Sequence, residues 1–417
     1  MGFLAGCATL DPQKLISSDR SERTPELENS LNVPGRIFET DRIKTVEFFR
    51  GSRGALPVIT LGSNDRLTFR FDEIANEPGI FRVKLTHHNA DWSQSQVIPA
   101  FFQSGQSEDT ITNGTPSVIG DPSFVSYEYQ FPNRNFGVRI SGNYLLHLLD
   151  YHTGETLISL PFFVQEDRGS LTAAIEEVFD FRATLFHQIS ATYRFPEFIR
   201  MPQTDLSIHF VQNQNWGRYI RATEIDASTE GRVRMHQRRD ESFNARYEFR
   251  PLIMDDFNTP SRDVLEIFPE DRPPRIRLQY DVVDLDINPG ISRSNRFGQP
   301  NTGRSARYVD VEFNLQRPKW IEPESEIYIT GPFTNWQISR EFKMTYNQNE
   351  DVFRGGGLIK EGRYDYLYIL VDNNRVDDLR LQAFFADTRQ FYQILVYFHD
   401  QQEGYDRILQ LGEVRWR

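Results

Sequence analysis

The sequence contains a single cysteine, Cys7, in 417 residues. One thiol cannot form a disulfide within the chain, and it rules out a CxxC metal or redox site. The sequence also has no HExxH helix, Walker loop, dinucleotide fingerprint or GxSxG elbow. We therefore identify no catalytic, metal-binding or cofactor-binding residues, and we predict a protein that is not an enzyme and carries no cofactor.

Long apolar runs and an excess of basic residues are missing as well. No stretch approaches the roughly 18–20 apolar residues that a helix needs to cross a bilayer. The formal net charge of −12 at pH 7 argues against a nucleic-acid partner, because phosphate binding requires a basic face. Hydrophobic residues nevertheless form 38% of the chain and include 33 Phe and 17 Tyr. This is enough apolar material for packed cores, and the aromatic enrichment favours strands.

The N-terminus carries the sharpest local signal. LAGC (4–7) fits a lipobox, in which small residues precede a cysteine that receives a diacylglyceryl group. The other interpretation is a chance match in an apolar N-terminus. The residues before Cys7 are too few for a complete signal peptide, so we expect the true start to lie upstream. We predict that Cys7 is lipidated and that the polar residues 11–34 form a flexible tether.

From about residue 38 onward, short alternating runs separated by turn residues predict strands. In RLTFRFDEI (66–74), for example, Leu67, Phe69 and Phe71 alternate with polar residues. Only residues 171–188 leave a helix open as an alternative. We predict an all-β fold of tandem immunoglobulin-like or E-set β-sandwiches. The predicted units are a truncated lipoprotein signal and tether at 1–34 and domains at 35–166, 167–307 and 308–417, with long polar excursions at 93–123 and 284–307.

Two aromatic motifs stand out from this pattern. THHNADW (86–92) contains His87, His88, Asn89, Asp91 and Trp92. Adjacent side chains on a strand point to opposite faces, so the two histidines cannot bind one metal ion. The asparagine and aspartate are typical of a turn that bonds to nearby backbone, and the tryptophan is expected to pack beside the end of the strand.

The second motif, YITGPFTNWQ (328–337), places Phe333 and Trp336 in a short loop after a strand. Together with EGRYDYLYILVD (361–372), it is similar to carbohydrate-binding modules related to glycogen-binding domains. That similarity implies that Phe333 and Trp336 could stack on a sugar. The alternative, which we favour, is that both rings anchor the core of the sandwich.

The first motif belongs to a wider pattern that includes IKTVEFFR (43–50) and FPNRNFGVRISGNYLLHLLD (131–150). This pattern resembles the N-terminal domain of the type IX secretion system plug protein family. Its family-like segment SGNYLL begins with Ser141, Gly142, Asn143 and Tyr144. GPFTNW (331–336) and KEGRYDYLY (360–368) are similar to the family's C-terminal part.

The resemblance implies a role without catalysis. A plug seals the periplasmic mouth of the large outer-membrane translocon channel when no substrate carrier occupies it. The implied partner is therefore that channel protein, and the implied location is the periplasm, with a tether to the outer membrane if Cys7 is acylated. An envelope lipoprotein that binds glycans through its C-terminal domain remains the alternative.

Overall fold

The computed structural model describes residues 27–28, 30–38, 41–179, 185–245, 249–283, 298–382 and 389–416. Strands hold 53% of the chain and helices 5%, so the prediction of an all-β fold is confirmed. Cys7 and residues 284–297 of the second excursion lie outside the described residues. None of the helices in the described ranges is long and apolar enough to cross a membrane.

The strands follow one another along the chain with few helical turns between them. The strands up to residue 165 are β1 (Ile43–Arg50), β2 (Val58–Thr60), β3 (Leu67–Glu73), β4 (Phe81–His88), β5 (Gln103–Gly105), β6 (Asp109–Ile111), β7 (Thr115–Pro116), β8 (Val125–Phe131), β9 (Phe136–Val138), β10 (Gly142–Asp150) and β11 (Thr156–Gln165). The strands from residue 170 to 281 are β12 (Ser170–Phe179), β13 (Leu185–Arg194), β14 (Leu206–Gln212), β15 (Tyr219–Arg221), β16 (Glu224–Asp226), β17 (Arg232–His236), β18 (Phe243–Asn244), β19 (Arg250–Met254), β20 (Val264–Phe268) and β21 (Arg275–Asp281).

The remaining strands are β22 (Gln299–Pro300), β23 (Tyr308–Gln316), β24 (Glu326–Thr330), β25 (Thr345–Asn347), β26 (Val352–Lys360), β27 (Gly362–Asp372), β28 (Arg375–Asp377), β29 (Gln390–Asp400) and β30 (Tyr405–Trp416). The described residues contain two short helices, α1 (Pro99–Phe102) and α2 (Pro202–Asp205). Single 3₁₀ turns occupy Arg239–Glu241, Pro332–Thr334 and Arg340–Phe342.

The first core lies between the sheet β1-β3-β8-β7 and strands β11, β10, β4 and β6 of a larger sheet. Alternating apolar residues of β8 (VSYEYQF) face inward, as a half-buried strand requires. Phe71 stacks on Tyr127 at 4.8 Å between ring centroids, and Phe81 meets Phe71 edge-on at 5.2 Å. Aromatic packing of this kind fills the space between the two sheets.

The second core lies between the sheet β12-β13-β17-β16 and strands β15, β14, β29 and β30 of the same larger sheet. That sheet is continuous across both cores, because β30 pairs in parallel with β11 at Ile408 and Gln165. The Glu166 amide also donates to the Ile408 carbonyl at 2.9 Å. Backbone hydrogen bonds therefore fix the first core against the second.

The third core is built around β23, β24, β26 and β27, and it also takes in β19 and β21. The cores therefore do not follow the limits predicted at residues 307 and 308. Residues 250–281 pack with the third core, and residues 390–416 return to the second. Alternation identifies a strand and its buried face, but it does not identify which distant strand will pair with it.

Three local expectations also change. β12 (Ser170–Phe179) and β13 (Leu185–Arg194) pair with an unbroken antiparallel register, so the helix left open for residues 171–188 is wrong in the described part of that segment. The excursion at 93–123 contains α1, β5, β6 and β7 rather than loop alone. Leu31 and Val33 are buried, so the flexible tether predicted for residues 11–34 does not extend over them.

Candidate functional site

The THHNADW motif forms a turn after β4 that joins the first core to the second. The Asn143 side chain donates to the carbonyl of Asn89 at 2.9 Å, and it accepts a hydrogen bond from the Tyr397 hydroxyl at 2.9 Å. The backbone amide of Ala90 donates to Asp406 at 2.9 Å. Because Tyr397 and Asp406 lie on β29 and β30, the motif binds its own domain to the end of the chain.

Trp92 completes this joint. Its backbone is left-handed (φ 66°), a conformation that the adjoining turn supports through a hydrogen bond from the Ser93 amide to Asp91 at 2.9 Å. The buried indole meets Phe163 at 5.6 Å between ring centroids, and Phe163 in turn meets Trp216 at 4.5 Å. The apolar cluster therefore runs from β4 through β11 into the second core.

The two histidines point to opposite sides of β4 and have separate partners. His87 contacts the Ser95 hydroxyl through Nδ1 at 2.8 Å and the Ser141 carbonyl through Nε2 at 3.2 Å. Burial lowers the pKa of His87 to about 4, so the ring is neutral at pH 7. Nδ1 of His88 lies 2.8 Å from the Trp92 carbonyl. Each ring therefore fixes a neighbouring loop.

The SGNYLL segment holds the same joint from β10. Gly142 has φ +142°, and a Cβ there would lie 2.3 Å from Nε2 of His87. The Ser141 hydroxyl donates to Glu166 at 2.7 Å, and Arg407 donates to both carboxylate oxygens of Glu166 at 2.7 and 2.8 Å. Burial acts to raise the pKa of Glu166, but these bonds leave it below its usual value. Tyr144 is fully buried.

A second joint, between the first and third cores, is ionic. Asp72 of β3 accepts hydrogen bonds from Lys360 of β26 at 2.7 Å, from the Tyr308 hydroxyl at 2.7 Å and from the Ser126 hydroxyl at 2.6 Å. Burial and the nearby Asp72 carboxylate raise the pKa of Tyr308 well above its usual range, so its hydroxyl remains a donor. The carboxylate has a partner on each of three strands.

A neighbouring ion pair extends this joint. The buried Lys44 of β1 donates to both carboxylate oxygens of Glu341 at 2.7 and 2.8 Å. The motifs in the sequence did not point to Asp72, Lys360, Lys44 or Glu341. Asp72 follows Phe71 on β3, so its side chain points away from the first core. From alternation in the sequence, that side of the strand is predicted to face solvent. Only the presence of the third core on that face makes the position buried.

The N-terminal segment (residues 30–38) touches all three cores. Asn32 donates to the Trp336 carbonyl of the third core at 2.7 Å, and Arg36 donates to the Ser159 carbonyl of the first core at 3.0 Å. Gly217 of the second core lies so close that a Cβ there would be 2.0 Å from the carbonyl oxygen of Asn32. The segment therefore fastens the cores from outside.

A cavity of about 130 Å³ lies where these elements meet. Left-handed backbone occurs at four residues that line it, namely Thr45, Gln214, Asn335 and Trp336. Nδ2 of Asn335 is buried without a hydrogen-bond partner. Both lysines that line it, Lys44 and Lys360, are paired with Glu341 and Asp72. We therefore assign no ligand to this cavity.

Phe333 and Trp336 are 5% and 6% exposed. Phe333 packs against Phe342 at 5.1 Å between ring centroids, and Trp336 meets Phe249 edge-on at 5.2 Å. Neither ring presents a free face to a sugar. The structure therefore supports the core-anchor interpretation of this motif, and the glycan-stacking alternative has no support.

The family-like residues thus form joints between cores. Within the described ranges, no group of three or more His, Cys, Asp or Glu side chains is placed to hold a metal ion. Residues 43–166 match the family model for the type 9 secretion system plug protein 1st domain. This first domain belongs to that family. Trp92 and Asn143 lie within the matched residues, whereas Tyr397 and Asp406, on the other side of the joint, lie outside them.

The fold extends beyond the plug-family domain in a solved structure. A hypothetical protein from Parabacteroides merdae is 22% identical and superposes with a TM-score of 0.79, over 91% of this chain and 99% of its own. At that identity the likeness shows a shared fold. A biofilm-associated protein BSP domain is also similar over 95% of this chain and 61% of its own, but at 6% identity and a TM-score of 0.18 it does not indicate a shared fold. No curated protein matches the chain.

Replacing Gly142 by alanine tests the joint of the plug-family domain. The new Cβ meets the His87 ring and the backbone conformation is unfavourable, so we expect Gly142→Ala to lower the free energy of unfolding by about 2 kcal/mol or more. Gly62→Ala is the matched control, since Gly62 also has positive φ but has no atom within 4 Å of its Cβ position. Equal losses in urea unfolding would show that the His87 contact is unimportant.

Acid should weaken the folded state through its buried histidines. Burial lowers the pKa of His87 and His147 to about 4, against about 6.5 when unfolded. Stability should be complete above pH 6.5 and fall as the pH decreases toward 4, by up to about 1.4 kcal/mol per pH unit for each ring. Urea unfolding of His147→Gln should show a smaller pH slope, whereas the exposed His152→Gln should match the parent.

Breaking the ionic joint should cost more than breaking a surface pair. Lys360→Met leaves the buried Asp72 carboxylate without its cation, so we expect a loss of about 3–5 kcal/mol. Arg363→Met, which breaks a solvent-exposed pair with Asp255, should cost far less, because water screens that pair. Both are measured by urea unfolding. Similar losses for the two variants would contradict the importance of the joint.

Proposed function

We propose that this protein is a non-enzymatic plug that binds and seals the periplasmic side of the type IX outer-membrane translocon channel. The observation that carries the proposal is the match of residues 43–166 to the first domain of the type 9 secretion system plug protein. That match supports a role in type IX secretion and a location in the cell envelope. The sealing of the channel goes beyond what that match supports and is the specific part of our proposal.

A protein that blocks a channel must be rigid, and three features of the chain support rigidity. The larger sheet crosses the first and second cores, the Asp72–Lys360 pair joins the first and third, and the N-terminal segment touches all three. Domains joined only by a linker would move relative to one another. Here backbone hydrogen bonds and buried charges hold the cores in one arrangement.

The two excursions that the sequence singled out meet on one face. The Val118 amide donates to the Arg304 carbonyl at 2.9 Å, and the Arg304 guanidinium donates to the Pro116 carbonyl at 2.9 Å. At this tip Val118 and Ile119 are 67% and 49% exposed. Exposed apolar residues within a polar surround suit a contact that must form and release. We propose that this tip contacts the channel.

The location follows from the same proposal. A plug for the periplasmic mouth of the channel works in the periplasm, where it can reach an unoccupied translocon. A lipid on Cys7 would hold the protein at the membrane that carries the channel and raise its local concentration there. Association could then remain weak enough to reverse when a substrate carrier arrives.

The exposed tip provides the test. The double variant Val118→Ser/Ile119→Ser should bind the purified translocon about tenfold or more weakly, because truncated apolar anchors account for most of the affinity in such contacts. Phe101→Ser is the matched control: Phe101 is 63% exposed, but it lies on α1, beside the Phe102 ring that packs against His87. Binding is measured by surface plasmon resonance on detergent-solubilised channel.

Sealing itself is measured in cells. A deletion strain should admit large antibiotics through carrier-free channels, and the parent gene should restore exclusion while the Val118→Ser/Ile119→Ser variant restores it poorly. A protein that never binds the channel, and whose loss changes neither permeability nor secretion, is not a plug.

A further inference from the structure

Among the described residues, no strand is hydrogen-bonded to the outer edge of β12, although β30 lies close to its first residues, with Gly412 against the Leu171 side chain. β12 pairs through all ten residues with β13, and its register has no bulge. On its other side, no described residue makes a backbone hydrogen bond to it. Most edge strands are short, bulged or interrupted by proline. β12 has none of these features.

The pairing of β13 shows which groups of β12 are free. The Ile189 carbonyl accepts from the Gln237 amide at 3.2 Å, and the Ile189 amide donates to the Gln237 side chain at 2.7 Å. Both groups of Ile189 therefore point away from β12. In an antiparallel ladder hydrogen-bonded and non-hydrogen-bonded pairs alternate. Ile175, which lies opposite Ile189, therefore directs its own amide and carbonyl to the free edge.

The same alternation applies along the strand. Leu171, Ala173, Ile175 and Glu177 all present their amide and carbonyl groups outward, two residues apart. The side chains of the first three pack against the second core, which holds the strand in place. A fixed row of donors and acceptors with a two-residue repeat is complementary to one kind of ligand, another extended chain.

We propose that β12 is a docking edge at which an extended segment of the channel protein adds as a further strand. The proposal rests on the proposed function, and it specifies the chemistry of part of that contact. Backbone hydrogen bonds supply the attachment, and the residues that flank the edge supply selectivity.

The charges at the two ends of β12 indicate the charge pattern of the segment that would bind there. Arg168 precedes the strand and Arg194 lies opposite its first residue, and both are exposed. Glu176 and Glu177 are exposed near its far end, and the five residues 171–175 between carry no charge. The best occupant is an extended segment that is acidic at one end, small and uncharged in the middle and basic at the other.

A second copy of this chain is a poorer occupant. Each copy carries a formal net charge of −12. The electrostatic repulsion between two copies therefore acts over a longer range than the hydrogen bonds of a strand pair. A stable interface buries about 1,200–2,000 Å², which is more than one strand pair supplies by itself. As one part of a larger contact with the channel, the same edge needs no such area.

Hydrogen exchange on the unmodified protein is the primary test. On addition of purified translocon, the amides of Leu171, Ala173, Ile175 and Glu177 should exchange at least about tenfold more slowly, whereas those of Thr172 and Ala174 are already protected by β13. If the translocon binds and these four amides exchange at unchanged rates, the strand-addition proposal is wrong and the plug function stands.

Two variants extend the test. Ala173→Pro removes one outward amide without removing a bond to β13, and Glu176→Lys/Glu177→Lys reverses the charge at one end. Each should weaken translocon binding by about tenfold, while Glu230→Lys on an exposed turn should leave it unchanged. The charge-reversal variant keeps the test decisive if Ala173→Pro unfolds. Unchanged affinity for the charge-reversal variant would overturn the proposed selectivity.

Two further outcomes separate the alternatives. Protection of the β12 amides that grows with protein concentration in the absence of translocon would assign the edge to a second copy and overturn the proposal. Absence of any binding to the translocon would instead refute the proposed function, and the docking edge with it.

Discussion

The arrangement of the three cores depends on a carboxylate buried away from water. Asp72 is 4% exposed and lies 2.7 Å from Lys360, which is 2% exposed. A charge in such a place is tolerable only when it is paired and fully hydrogen-bonded, and Asp72 has three donors from three strands. Any shift of the first core against the third would remove donors from a charge that cannot regain water. The joint therefore fixes the position of the first core relative to the third, whatever its net contribution to the free energy of unfolding.

The chain path strengthens that constraint. Residues 30–38 touch all three cores, and residues 390–416 return to the second core after the third is complete. The second core therefore cannot be finished until nearly the whole chain is present. Contacts between residues so far apart in sequence are costly to form first. Once they are formed, no core can open without disturbing a neighbour.

Sequence alone predicted much of the local structure and little of the assembly. Alternation located strands such as β3 and β8, because a half-buried strand shows its inward face in every second residue. The same alternation failed at Asp72, where a face that reads as solvent-facing is covered by the third core. It also did not assign β29 and β30 to the second core, because the sequence of a strand does not indicate which distant strand it pairs with.

The aromatic and histidine motifs were the most useful part of the sequence, although they do not mark a binding surface. His87, Trp92, Asn143 and Trp336 are all buried, and their contacts join cores or fill them. They identify an architecture because few other residues would satisfy the same turn, ring contact and hydrogen bonds together. A surface that binds another protein must lie elsewhere, on residues that solvent can reach. The described chain offers two such places with defined chemistry, an exposed apolar tip at Val118 and an unpaired backbone edge at β12. The residues that hold the cores together and the residues that solvent can reach are therefore different sets, and the family-like motifs belong to the first set.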